Sequence, residues 1–98
     1  MAGFVQIIEW SSSRLDDVRS LSEGRRDEMA GEGTPIQLLV TANRDVPNRY
    51  MTIVEFESYE AAMKNSADPR TDAFAQKMAE LCDGPPTFYN LDVVERVV

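Results

Sequence analysis

The 98-residue chain has no histidine and a single cysteine, Cys82. The first absence removes the side chain that most readily moves protons near neutral pH and most often ligates metals. It also excludes Ser-His-Asp and Cys-His nucleophile sets. One cysteine makes no internal disulfide and no multi-cysteine metal site. Its use fits a reducing, cytoplasmic setting. Basic residues are also scarce, 10 against 17 acidic ones, for a net charge of −7. Nucleic acid and anionic membrane surfaces both demand a basic footprint, so neither is an expected partner. No apolar run approaches the roughly 20 residues that span a bilayer, and no basic leader followed by a long apolar core suggests a signal peptide. Gly-rich phosphate loops and zinc-ligand spacings are missing too.

What remains is the composition of one soluble domain, 43% hydrophobic and 28% charged. A domain of this length buries only about 60–70% of its unfolded surface, so a partner subunit would complete its core.

The hydrophobic pattern gives an order of elements. "FVQIIEW", 4–10, reads as a strand with apolar residues on both faces. The following stretch reads as a helix. Ser12 or Ser13 is its expected cap, Asp16 and Asp17 suit its first turn, and Leu15, Val18 and Leu21 form its stripe. Gly24, Arg25 and Arg26 interrupt that stripe, Met29 is placed to resume it, and "AGEGTP" ends it. "IQLLVTAN", 36–43, and "RYMTIVEFE", 49–57, form a hairpin around "RDVPN". Ser58 caps a short helix, Asp68-Pro69 breaks it, and a second helix runs over about 70–82 with Phe74, Met78, Leu81 and Cys82 as its stripe. "TFYNLDVVERVV" is a closing strand. The order β-α-β-β-α(α)-β is the split βαβ, ferredoxin-like arrangement: an α+β domain with a four-stranded antiparallel sheet and helices on one face.

Helices can cover only one face of such a sheet. The other should then be polar, yet the strands are apolar or neutral on both. Phe4, Ile8 and Trp10 oppose Val5 and Ile7; Tyr50, Val54 and Phe56 oppose Met51 and Ile53. A second copy placed sheet to sheet buries the remaining face. The expected state is a homodimer whose two sheets form a barrel, with the last strand long enough to pair with the partner's edge.

The element order, "MTIVEFESYEAA" passing from strand into helix, and "TDAFAQKM" followed by "GPPTFYNLDVV" together resemble the dimeric α+β barrel superfamily, and within it the antibiotic-biosynthesis-monooxygenase-like domains. The resemblance covers nearly the whole chain. It implies the barrel dimer and, as one activity within the superfamily, cofactor-independent oxygenation of quinols or polyketides. The haem-degrading branch carries a histidine four residues after the phenylalanine that resembles Phe74. Here that position is Met78. That branch also uses an asparagine on the first strand, which this chain lacks, and a tryptophan at the end of the third, where Phe56 stands. Haem chemistry is therefore not expected, and no cofactor is.

A ligand pocket is expected between helices and sheet, with Trp10, Tyr50, Phe56, Phe74, Met78 and Tyr89 as its apolar wall. For any single one of these, plain core packing is the favoured reading on sequence grounds. Polar candidates are Gln6, Asn43, Thr52 and Asn90. Amide, Tyr and Arg donors suit an aromatic substrate that must be deprotonated and held as an anion, which selects Asn43, Arg25 and Asn90 as catalytic candidates. The same amides can simply satisfy hydrogen bonds at strand ends, and Arg25 with Arg26 can be a solvated face beside Asp27 and Glu28. Glu55 and Glu57 share a strand face but have no third group to orient them. Cys82, near Ala79 and Leu81, reads as a small buried hydrophobe. Two functions stay open: a monooxygenase acting on a small aromatic or quinol-type compound, and a non-catalytic small-ligand-binding or stress-associated dimer.

Overall fold

A computed structural model describes residues 3–28 and 35–97, with side chains given up to Gly24 in the first span and throughout the second. Seven elements follow in the order read from the sequence: β1 (Phe4–Ser11), α1 (Leu15–Glu28), β2 (Gln37–Ala42), β3 (Arg49–Phe56), α2 (Tyr59–Ala67), α3 (Pro69–Leu81) and β4 (Thr87–Asp92). The expectations for Met29 and most of "AGEGTP" lie outside the described residues.

The four strands form one antiparallel sheet in the order β2-β3-β1-β4. β1 and β2 are therefore parallel with β3 between them, and β3 and β4 are parallel with β1 between them. Each parallel pair needs a helical crossover, which α1 and the α2–α3 pair supply. This is the ferredoxin-like α+β fold.

Register decides the faces. Phe4 lies opposite Phe56 and Trp10 opposite Tyr50. Phe4, Gln6, Ile8 and Trp10 thus share a face with Tyr50, Thr52, Val54 and Phe56. All the deeply buried strand side chains belong to this face: Phe4, Trp10, Tyr50, Val54 and Phe56. Their helical partners are Val18 of α1 and Ala62 of α2, so the helices pack on this side.

The core here comes in two pieces. Phe4, Val54, Phe56 and Ala62 make one, joined by an edge-to-face contact of Phe4 and Tyr59 at 5.4 Å. Trp10, Val18 and Tyr50 make the other, with Ile8, Leu15, Met78, Leu81 and Cys82 packed against it. Its centre is the Trp10–Tyr50 stack, centroids 4.7 Å apart. Burying each large apolar side chain contributes about 1.5–3 kcal/mol.

The helix joints follow local chemistry. The Ser58 side chain accepts from the Ala61 N–H at 3.1 Å and caps α2 as expected. Asp68 ends α2 in an extended conformation and caps α3 by accepting from the Arg70 N–H, with Pro69 in the first turn. The first helix differs from expectation. Neither Ser12 nor Ser13 is its cap, because α1 starts only at Leu15 and its first bond runs from the Val18 N–H to the Arg14 carbonyl. Ser12 is instead fully buried. Its hydroxyl donates to the Leu81 carbonyl at 2.5 Å and accepts from the Arg14 N–H at 2.9 Å. It therefore fastens the β1–α1 turn to the end of α3. A second tie runs from the Asp83 N–H to the Ser11 carbonyl at 2.8 Å.

The closing strand is shorter than expected. β4 stops at Asp92 because its neighbour β1 begins opposite it at Phe4, and only the Val93 N–H reaches further, to the Gly3 carbonyl. Val94 and Val97 beyond it are 96% and 80% exposed.

Candidate functional site

Between the two core clusters the helix-side face of the sheet turns polar. Gln6 lies opposite Val54 on one side and Asn90 on the other; Thr52 lies opposite Ile8 and Val40. The Gln6 side chain donates from Nε2 to Asn90 Oδ1 at 3.1 Å. The Trp10 indole donates from Nε1 to Thr52 Oγ1 at 3.0 Å. Both pairs stand on central or adjacent strands, where the ladder fixes their backbones. Alternation alone brings them to one face, since positions 6, 8 and 10 of β1 register with 54, 52 and 50 of β3, and positions 6 and 8 with 90 and 88 of β4.

The site's surroundings are apolar. Ile8 and Trp10 border it on β1, Val40 on β2 and Phe88 on β4; Val40 and Phe88 are about half exposed. Asn90 uses its carbonyl oxygen for Gln6 and retains two N–H donors. Thr52 accepts from the indole and retains its O–H. A neutral donor on an apolar floor can stabilise a phenolate or enolate oxygen without the desolvation cost of burying a cation. Asp92 is the carboxylate that β4 carries on the same face, two residues past Asn90. Among the described residues no group of three or more acidic, cysteine or histidine side chains is placed to hold a metal ion.

Trp10 and Tyr50 pack together in one core cluster, with Met78 against it. Asn90 stands on the helix-side face beside Gln6. The other candidates do not join them. Phe56 belongs to the opposite cluster and is 2% exposed, so it is core at the far end of the sheet. Phe74 lines a separate groove between α1 and α3. Tyr89 falls on the other side of the sheet: it lies opposite Ile7, out of phase with Trp10, and its hydroxyl donates to Glu9 Oε1 at 3.4 Å. Asn43 is a hairpin residue. Its Oδ1 accepts from the backbone N–H of Asp45 and of Val46, at 2.9 and 3.2 Å, and so shapes the turn in which Asn48 takes a φ of 61°. Arg25 lies in α1, and its side chain is outside the described set. Sequence reading took Ser12 for a helix cap, and it did not single out Lys77 and Arg70 beside the groove. The spacing of Arg70, Phe74 and Lys77 along α3 was the available signal for the last two.

Cys82 is half-buried at the end of α3. Burial pushes its thiol pKa up, and the neighbouring Asp83 carboxylate adds to the rise. The thiol is thus held neutral, as a packing residue requires.

The opposite face of the sheet is apolar at its centre and charged at its rim. Val5, Ile7, Leu39, Met51, Ile53 and Leu91 share it by register. Leu39 and Leu91 are 45% and 43% exposed. Ion pairs Arg49–Glu9 and Arg96–Glu55 border it.

No protein-family model matches the sequence, and no curated protein matches it either. Solved structures do match in fold. A variant of SnoaB, a cofactor-independent oxygenase from Streptomyces nogalater, superposes with a TM-score of 0.83 at 12% identity, covering 97% of this chain and 96% of that one. A Caulobacter crescentus protein provisionally named an antibiotic biosynthesis monooxygenase gives 0.84 at 14% identity, covering 96% and 92%. Rv0793 from Mycobacterium tuberculosis gives 0.78 at 14% identity, covering 98% and 99%. The chain therefore has the ferredoxin-like fold of the antibiotic-biosynthesis-monooxygenase-like structures. At these identities the likeness is one of fold.

Proposed function

We propose that the protein is a cofactor-independent monooxygenase for a small aromatic or quinol-type compound, working as a homodimer. The observation that carries this reading is the placement of the Asn90 amide and the Thr52 hydroxyl on an apolar floor between two separate core clusters. The likeness in fold to a structure named as a cofactor-independent oxygenase supports it. In such a reaction a substrate methylene and one molecule of dioxygen give a carbonyl and one molecule of water. One oxygen atom enters the substrate, and the other leaves as water with the two hydrogens of the methylene. The methylene carbon is oxidised by the dioxygen, so no further reductant is needed. The protein's part is to bind the ring against the half-exposed Phe88, and to stabilise the anion formed when the first proton leaves. With no imidazole in the chain, either Asp92 takes that proton or the substrate is acidic enough to lose it to water.

A second reading rests on a different observation. Gln6 and Asn90, and Trp10 and Thr52, already satisfy one another, as in a barrel that binds a small ligand or serves a stress role without turnover.

Oxygen uptake with a panel of quinols and anthrones separates the two. The first reading expects turnover by the wild type and a loss of about 10²–10³-fold in Asn90→Ala, the usual effect of removing one anion-stabilising donor. Binding of panel compounds without oxygen uptake would establish the second. The dimer is tested separately. Its proposed interface is the open sheet face, whose apolar centre and charged rim match a protein interface. Light scattering after size exclusion should give twice the 11.0 kDa chain mass. Ile53→Asp, at the middle of that face, should give the monomer. A wild-type monomer at micromolar concentration refutes this interface.

A further inference from the structure

A cavity of about 370 Å³ opens between α1 and α3. That volume lies at the small end of ligand pockets. α3 presents Arg70, Phe74 and Lys77 at spacings of four and three, so all three lie along one face of the helix, with Ala73 beside them. Across from them α1 presents Ser20, Leu21 and Gly24. The groove thus has an apolar floor, Leu21, Ala73 and Phe74, and two cations. None of the described lining residues is acidic, although the whole chain carries −7. Asp68 braces Arg70, with Arg70 Nη2 2.7 Å from Asp68 Oδ2. Lys77 makes no side-chain hydrogen bond or ion pair among the described residues, so its charge is the one on offer.

Gly24 supplies an independent observation. Glycine inside a helix costs about 0.5–1 kcal/mol relative to alanine. Among the described residues, a Cβ added at Gly24 would meet nothing within 4 Å. No described neighbour therefore requires glycine here. What its missing side chain leaves is width in the groove.

We infer that this groove is a second binding site, for a small organic carboxylate carrying an aromatic ring. The ring lies over Leu21 and Phe74, where apolar area and ring geometry favour it. The carboxylate meets the Lys77 ammonium, with the Ser20 hydroxyl also in the lining. None of these residues belongs to the sheet-side site, so the inference stands whether or not that site is catalytic.

The test is a titration of the uniformly ¹⁵N-labelled protein, followed by amide chemical shifts, with 2-naphthoate and with its neutral analogue 2-naphthamide. Naphthoate should shift amides of α1 and α3 around Gly24 and Ala73–Lys77. Lys77→Met keeps the apolar stem and removes the charge. It should weaken naphthoate by roughly two- to fivefold, the worth of one solvent-exposed ion pair, and leave naphthamide unchanged. Gly24→Leu fills the groove and should abolish binding of both. Thermal unfolding shows that each variant is folded, and Lys77→Met alone decides the matter should Gly24→Leu not fold. Equal affinity for acid and amide, shifts confined to Gln6, Thr52 and Asn90, or unchanged binding by the Lys77 variant would overturn the inference. So would stronger shifts of the same amides by a hexaglutamate peptide, which would assign the groove to an acidic protein segment.

Discussion

Replacing Ser12 with alanine removes one oxygen atom, and with it the fastening between the two ends of the helical layer. The side chain is fully buried and makes two hydrogen bonds, to the Leu81 carbonyl at 2.5 Å and from the Arg14 N–H at 2.9 Å. A typical intramolecular hydrogen bond contributes about 0.5–1.5 kcal/mol net, but a buried polar group left without a partner costs about 1–3 kcal/mol. The Arg14 N–H lies at the start of α1 beside exposed residues, so water replaces part of its loss. The Leu81 carbonyl is at the end of α3 against the Trp10 cluster, where water has less access. The sum is about 2–3 kcal/mol. For a domain of this size, each kcal/mol moves the midpoint of thermal unfolding by about 4–8 °C. Ser12→Ala should therefore lower Tm by roughly 10–20 °C, and Ser13→Ala, at an exposed position, by less than about 3 °C. Urea unfolding followed by the fluorescence of Trp10, the only tryptophan, reads both variants at one fixed protein concentration. A loss below about 0.5 kcal/mol for Ser12→Ala, or equal losses for the two serines, would refute the fastening role and restore an ordinary helix cap.

Gly24→Ala should stabilise the protein by about 0.5–1 kcal/mol, because the added methyl meets open space and the helix gains propensity; urea midpoints measure it, and destabilisation would show that the groove is narrower than described. Cys82 should react with iodoacetamide more slowly than a free thiol at about pH 8, and Asp83→Asn should speed it, since burial first and Asp83 second raise the thiol pKa. The sign for stability follows. Above the pKa of the unfolded thiol the folded state holds the proton longer, so the contribution of Cys82 falls as pH rises through that range and is level below it. A stability that rises between about pH 8 and 10 in wild type but not in Cys82→Ala would contradict this.

Strand alternation, helix stripes and the Asp68-Pro69 break were enough to place every element, although the closing strand, expected over 87–98, ends at Asp92. Those signals are local: a period of two or 3.6, a cap, a residue that cannot continue a helix. The aromatic candidates show where local signals fail. Trp10, Phe56, Phe74 and Tyr89 look alike in sequence, yet one anchors a cluster, one fills another, one lines a groove and one crosses to the open face. Their distribution depends on strand register and on where the helices sit. A shift of one residue in β4 would have put Tyr89 on the other side. Asn43 and Asn90 diverge for the same reason: one amide sits at a hairpin bend and turns to its own backbone, the other stands in a ladder facing Gln6.

By itself the sequence determined the element order, the ferredoxin-like class, the absence of histidine chemistry and the excess of apolar residues on both sheet faces. Each of these follows from composition or from neighbours in the chain. Only the tertiary structure decided that the core splits in two around Gln6, Thr52 and Asn90, that Ser12 is a fastener rather than a cap, and that Arg70, Phe74 and Lys77 face Gly24 across a groove. The polar pairs of the sheet are meetings of distant residues, Trp10 with Thr52 at 42 positions apart and Gln6 with Asn90 at 84. Contacts at that separation are fixed by register and helix docking, which no local pattern encodes.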